Sequence, residues 1–541
     1  MSLCVAVPSA VAAVRALQWG WVPASDQATI GTRATEVLTG RTPRLGQLSG
    51  ASAEVGLPTR SPGPMGYWPF AVTARWGPLW ASAVVAAGLS AAAMVASVRL
   101  AARRGGPALA LAVGLGLVLS ARAINPANLA STWNPALGVM PLVLLVLLSW
   151  SIGVGEVRLL PVAVLVLSFC AQAHTALAVA CLPVLAIGVV AGLTPAVRRG
   201  VSALRARERW RPGPAARAVG IAAVVAAGCW ALPLVDQAVG DPGNLTRLSR
   251  ASPSEPFPWR GAGRAVVDVV GVVPAFLRGD IAPADHAQDI LLRPSSTLAV
   301  ITTILVVAGL AGLAGRGIRR RQRELAVPPL LVLALLGAAA LVARGTPAPT
   351  FLVLTYTLWW TVPVGMLAWV VLGWGVAVTT SWGAALGRRL DGRAGSCVAG
   401  LVCAAMVAIG VLSPGQAEPE EPIHDEARAV GDVVAARVER GRPYLVAAGQ
   451  GGAGSQLVAS TAYRIQRAGA LPVIPGTDGV AAGPRHVPHG RRCAAVVTIA
   501  SAGAPVRAGA SVVAEVRLPA RDGSSADVVV AMGPDDGAPS C

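Results

Sequence analysis

Apolar residues in this chain come in long blocks separated by short polar gaps. Blocks fall near residues 3–22, 77–98, 107–121, 136–155, 159–174, 176–193, 218–235, 296–315, 325–343, 357–380 and 396–412. Most are long enough to cross about 30 Å of hydrocarbon as a helix, the one open structure that satisfies its own backbone there. The pattern predicts a polytopic α-helical membrane protein with about 11 transmembrane helices. The pair at 159–193 must turn tightly around Gln172, Ala173 and His174. The first block is the weakest, because it contains Arg15. Arginine at a helix centre costs about 2.5–3.5 kcal/mol on insertion scales. Arg15 lies toward the outer end, where snorkelling lessens that cost, so the block is read as an anchor with its N-terminus inside.

Two long polar stretches interrupt the blocks, and both are expected outside. In 23–68, Gln27–Thr39 predicts a helix with Ile30, Ala34, Val37 and Leu38 on one side, suited to lying in the membrane interface. The Pro/Gly-rich run Arg60-Ser61-Pro62-Gly63-Pro64 opposes regular structure, and Tyr67 and Trp68 mark an aromatic belt at the next span. The second stretch, 236–295, holds seven acids and six arginines, with a surface helix expected over Ala262–Leu277. From about Ser413 the apolar runs shorten to strand length. Helices are predicted at Asp425–Arg440 and Ser455–Arg467, and strands at Tyr444–Ala448, Ala494–Ile499 and Val512–Val516. The division expected is a membrane domain over 1–412 and a small extracytoplasmic α/β domain over 413–541.

Composition agrees and adds an orientation. Over 541 residues the chain is 54% hydrophobic and 13% charged, with mean hydropathy +0.60 and net charge +18. A soluble protein would be roughly a quarter charged. The cations are all arginine, and alternate gaps hold 19 of them against Glu156, Glu208, Glu324 and Asp391. Fifteen of the eighteen net charges are therefore a positive-inside signal, which removes the nucleic-acid reading that so basic a chain otherwise invites. Absence of lysine amid so much Ala, Gly, Arg and Pro points to a GC-rich bacterial coding sequence. Most of the eight cysteines sit in apolar blocks as small hydrophobes. Cys493 and Cys541 could pair if their domain is outside.

Candidate chemistry gathers outside the blocks. Asp26 stands just beyond the first one; its bland reading is a cap for the helix beginning near Gln27. Arg33, Arg60 and Arg122 are outer-side cations able to meet a phosphate, with Arg247 and Arg344 weaker; each is otherwise a solvated interface charge. Trp133-Asn134-Pro135 and Gln172/His174 fall on outer ends of blocks. Asn134, Gln172 and His174 are candidates for binding sugar hydroxyls, against anchoring or structural roles. Asp236 and Asn244, which open the second outer stretch, are further candidates for binding substrate. Asp285, His286 and Asp289 have helical spacing that suggests a divalent cation, the only cofactor indicated. The run Gly449–Gly454 sits between a predicted strand and helix as a dinucleotide loop does, with Asp478 beyond it, but a plain glycine-rich turn is the simpler reading.

The runs WVPASDQATIGTRATEVLTGRTPRLGQLSG, SPGPMGYWP, STWNPALGVMPL, AQAHTAL and LPLVDQAVGDPGNLTRL, in that order, resemble the actinobacterial GT-C integral-membrane glycosyltransferases that use polyprenyl-phosphate mannose, arabinose or aminoarabinose. The likeness covers roughly the first 250 residues, and the later blocks by layout. It implies a GT-C-like fold and a catalytic base just after the first span, the position of Asp26. Ser61 stands where family loops often carry histidine. Transfer of a sugar from a lipid phosphate to a cell-envelope glycan or lipid, with inversion, needs a carboxylate opposite the leaving group and a cation beside the departing phosphate. The expected setting is the plasma membrane. A transporter or lipid flippase is the main alternative, although coupled transporters keep ionisable residues inside spans and these blocks hold no Asp or Glu. A non-catalytic envelope scaffold is the other.

Overall fold

A computed structural model describes residues 2–205, 213–253, 255–278, 295–347, 355–381, 393–413, 423–449, 454–490, 492–505, 509–519 and 525–534. Every expected apolar block folds as a helix. These are Val7–Gln18, Ala81–Ala123, Val139–Gly153, Leu160–Ala173, Thr175–Arg205, Pro214–Val239, Thr297–Arg319, Arg323–Arg344, Thr361–Thr379 and Arg393–Leu412. Ala81–Ala123 carries two expected spans in one run. Its backbone leaves helical geometry at Gly105 and Gly106 (φ 69°), directly before Pro107. Glycine supplies the left-handed residue and proline restarts the helix. Among the described residues, eight helices are long and apolar enough to cross a membrane, while Cys4–Gln18 and Val157–Ala173 are shorter. The tight turn expected between 159 and 193 is present: His174 is extended between Leu160–Ala173 and Thr175.

The two ends of the bundle differ in kind. At one end three of the arginine-rich gaps converge. Glu156 pairs with Arg103 and Arg104, and with Arg158 at 3.8 Å, while Glu324 reaches Arg104 at 3.4 Å. Arg15 is not left bare in the apolar layer. It donates to the carbonyls of Val411 and Ser413 at 3.5 and 3.2 Å, the negative end of helix Arg393–Leu412.

At the other end lies the first polar stretch, and here one expectation is overturned. The helix runs Ser25–Glu36, and all ten residues from Gln27 to Glu36 are buried. It does not lie in the interface. One side packs on Tyr67, Phe70, Ala74 and Leu137, and the other on Tyr463 of helix Ser455–Arg467. Gly31 makes this approach possible, since a Cβ there would stand 3.0 Å from the Tyr463 ring. In the second polar stretch the helix spans Trp259–Val270, shorter than expected, with only a single short turn at Ala275–Leu277.

The C-terminal part is an α/β unit with a five-stranded mixed sheet. Its strands are β1 (Pro443–Ala448), β2 (Leu471–Val473), β3 (Ala495–Ser501), β4 (Ser511–Pro519) and β5 (Ser525–Gly533), in the order β2-β1-β3-β5-β4. β1 pairs parallel with β2 and β3, whereas β5 is antiparallel to β3 and β4. Helix Ser455–Arg467 is the β1–β2 crossover, and helix His424–Ala435 stops short of the expected Arg440. β2 and β5 went unanticipated: β2 is three residues long, and the Asp522-Gly523 turn signal that precedes β5 was passed over. Asp285, His286, Asp289, Cys541 and positions 450–453 of the glycine run lie outside the described residues.

This unit is fastened to the helix Ser25–Glu36. Arg33 donates to Glu36 at 2.5 Å, and the other Glu36 oxygen lies 3.2 Å from His486 Nε2, all three buried. His486 Nδ1 lies 2.8 Å from the Pro472 carbonyl. Tyr463 Oη donates to the Ala74 carbonyl at 2.8 Å, Gln466 to Thr35 Oγ1 at 2.7 Å, and Arg467 to the Gly77 carbonyl at 2.6 Å. The C-terminal unit thus sits on the same side of the bundle as residues 23–68.

Candidate functional site

Asp26 is the second residue of helix Ser25–Glu36. It is not the cap, since Ala24 holds that place and no side chain caps the helix. Ser25 before it is in the left-handed region (φ 44°), a conformation that costs a serine energy. Asp26 Oδ2 accepts from Trp133 Nε1 at 3.1 Å. Gln47 lies beside the same carboxyl, and its carbonyl oxygen accepts from Tyr67 Oη at 3.3 Å. The carboxyl reaches solvent, yet protein crowds it on most sides. That lost hydration is the main reason its pKa lies above the ordinary 3.8. The Trp133 bond opposes the rise, the charge of Asp478 adds to it, and Gln47 opposes it.

Trp133 stands against two aromatic neighbours. Tyr356 is 4.7 Å away at 52° and Trp359 is 5.5 Å away at 83°. Tyr356 also meets the His174 ring at 6.1 Å. His174 Nδ1 accepts from the Ala176 amide at 3.3 Å, which leaves the proton of a neutral ring on Nε2. Trp133, Tyr356 and His174 are half-buried, whereas Trp359 behind them is buried. A small recess nearby is lined by Gln47, Gly63, Tyr67, Thr132, Asn134 and Gln172. Gly63 is required there, because a Cβ would fall 2.2 Å from Gln172 Oε1 and 2.7 Å from Pro233.

The residues singled out in the sequence separate into groups. Asp26, Asn134, Gln172 and His174 border the recess and the aromatic wall. Two of them hold backbone: Asn134 Nδ2 donates to the Ala173 carbonyl at 2.9 Å. Gln172 donates to the Cys229 carbonyl at 2.8 Å and accepts from the Met65 amide at 3.3 Å. Arg60, Asp236 and Asn244 form a second cluster. Asn244 accepts from the Arg60 amide at 2.8 Å and donates to its carbonyl at 2.9 Å, and its own amide donates to Asp236 Oδ2 at 3.2 Å. The Arg60 guanidinium donates to the Val480 and Ala481 carbonyls and to Gly46, and burial lowers its pKa from the usual arginine range. Arg33 belongs to the clasp with Glu36, and also reaches the Ala482 carbonyl at 3.4 Å.

Arg247 donates to the Pro58 and Pro242 carbonyls. Arg344 donates to the Phe257 carbonyl and lies over the Trp259 ring. Arg122 differs: it is exposed at the end of helix Ala81–Ala123. The residues that sequence reasoning missed are Gln47, Tyr356, Trp359 and the role of Trp133. Only Trp133 carried a signal, as the neighbour of Asn134.

No protein-family model matches the chain, and a search of curated proteins finds no match. Two solved structures are similar over nearly its whole length. ArnT from Cupriavidus metallidurans bound to undecaprenyl phosphate aligns with a TM-score of 0.50 at 13% identity, covering 100% of this chain and 98% of that one. The same protein in the apo state aligns at 0.45 and 14%, covering 96% and 97%. At such identity the first likeness concerns the fold. The chain is a polytopic helical membrane protein with a GT-C-like fold and a small C-terminal sheet unit.

Proposed function

We propose that this chain is a membrane glycosyltransferase. It moves a sugar from a polyprenyl-phosphate donor to a cell-envelope glycan or lipid, on the face of the membrane where Asp26 opens. The observation that carries the reading is a solvent-reaching carboxylate, fixed by an indole N–H, at the edge of an aromatic wall. Its support is the GT-C-like fold shared with a protein solved with undecaprenyl phosphate bound.

In this reaction Asp26 takes the proton of the acceptor hydroxyl as that oxygen attacks the anomeric carbon. The new C–O bond forms opposite the bond to phosphate, whose electron pair leaves with the lipid phosphate, and configuration inverts. Arg33, Arg60, Arg247 and Arg344 spend donors on a carboxylate or on backbone carbonyls, so Arg122 is the guanidinium assigned to the phosphate. His174 Nε2 is assigned to a sugar hydroxyl. The division into a membrane domain over 1–412 and an extracytoplasmic unit over 413–541 belongs to the same proposal.

The test is purified protein in nanodiscs given radiolabelled polyprenyl-phosphate pentose or hexose and an envelope fraction. Label passes to the envelope with the wild type and not with Asp26→Asn. Equal transfer by the two proteins, or none by the wild type with either donor, overturns the reading.

A further inference from the structure

Asp26 is served by a neighbour that the sequence offers as a membrane anchor. Tryptophan at the end of a span ordinarily sits at the headgroups with its N–H toward water. Trp133 does otherwise: its Nε1–H is directed at Asp26 Oδ2, 3.1 Å away. The indole cannot readily swing off this bond, because Trp359 and Tyr356 stand against it at 5.5 and 4.7 Å. Gln47 lies beside the same carboxyl, its Oε1 accepting from the Tyr67 hydroxyl. The indole bond orients the carboxylate, with lone pairs still open to a hydroxyl from the solvent side.

The same indole has a second exposed asset. Trp133 and Tyr356 are half-buried while Trp359 behind them is buried, so the rings nearest the carboxylate keep part of their surface exposed. Sugar rings present C–H groups on one face, and these pack on aromatic planes. A transition state with positive charge at the anomeric carbon is further favoured by an aromatic face.

Resting on the glycosyltransferase reading, we propose that Trp133 is the positioning residue of Asp26 and that Trp133 and Tyr356 together form the platform for the transferred sugar ring. The two duties separate experimentally. Trp133→Phe keeps a flat ring and removes the N–H. Its kcat falls about tenfold with the donor KM little changed, and the acid limb of the rate moves up by about one pH unit, as expected on losing a hydrogen bond to a charged group. Tyr356→Leu keeps the N–H and removes half the platform. Its donor KM rises about tenfold while the acid limb stays in place.

A readout independent of turnover is the carboxyl stretch of Asp26 in infrared difference spectra against Asp26→Asn. Its titration midpoint rises in Trp133→Phe. Should that variant fail to fold, 3-benzothienylalanine at position 133 preserves the indole shape without the N–H and gives the same rise. An unmoved infrared midpoint in the folded variant overturns the positioning role, and an unchanged donor KM in Tyr356→Leu overturns the platform. Both results are distinct from failure of the glycosyltransferase reading, which is the retention of transfer by Asp26→Asn. In that event the infrared midpoint still decides whether Trp133 holds the carboxyl.

Discussion

Helix Ser25–Glu36 carries two carboxylates at its opposite ends, and their surroundings could hardly differ more. Glu36 is sealed, with one oxygen on Arg33 and the other on His486, both partners buried. Asp26 opens to solvent, is held by an indole, and faces no cation at hydrogen-bond distance among the described residues. A buried carboxylate covered by a guanidinium on one oxygen and an imidazole on the other is closed to a substrate and acts as a fastener. A solvent-reaching carboxylate with a neutral donor keeps both its charge and its access. The contrast teaches that the position of an acid beside a membrane span says little about its role until its partners are known.

The largest expected effect tests the open end. Asp26→Asn lowers sugar transfer about 10²–10⁴-fold without loss of folded protein, measured by radiolabel transfer and thermal unfolding. Crowding raises the Asp26 pKa, so the native state holds that proton more tightly than the unfolded chain does. Its contribution to stability is present below 3.8 and lost as pH rises through the folded value. Asp26→Asn therefore melts higher than wild type at pH 7, and the gain shrinks toward pH 4. A lower melting temperature at pH 7 would erase the distinction between the two acids.

The sealed end comes next. Glu36→Ala strands Arg33 and His486 without their carboxylate and costs about 3–5 kcal/mol. Denaturant unfolding reads the loss, and protease nicking between the C-terminal unit and the bundle reports its release. A variant as stable as wild type would mean that Glu36 fastens nothing. Asn244→Ala belongs with the sealed group, because it removes the two bonds to the Arg60 backbone. It costs about 1–3 kcal/mol and reduces transfer only in proportion to the folded fraction. Arg122→Ala belongs with the open group and is the mildest. Donor affinity falls about tenfold with no change in melting, measured by lipid-donor titration in nanodiscs.

How much of this was legible beforehand follows from where the information sits. The helical blocks and the arginine topology are local or compositional, and the bundle follows them closely. The turn at His174 was readable because two spans had to fit within 159–193. The polar helix was not. Ile30 and Ala34 suggested one apolar face, but Gln27, Thr32, Arg33 and Glu36 are buried too. Gln27 is met by Thr132, and Thr32 and Glu36 by Gln466 and His486, more than 400 residues away, and no local period reports such partners. Asn244 and Arg60 were both noticed, each as a ligand for substrate. Side-chain chemistry alone cannot tell an amide that reads a sugar from one that holds a backbone. Trp133 shows the reverse: a residue that would pass as an anchor is the one bonded to the acid.

The clasp between helix Ser25–Glu36 and the C-terminal unit ties together segments made more than 400 residues apart. Until residues 457–486 are made, Thr32, Thr35 and Glu36 lack their partners Gln466 and His486, and one side of the helix lacks the cover of Tyr463. The surroundings of Asp26 are therefore set late in synthesis, well after the first spans have been made.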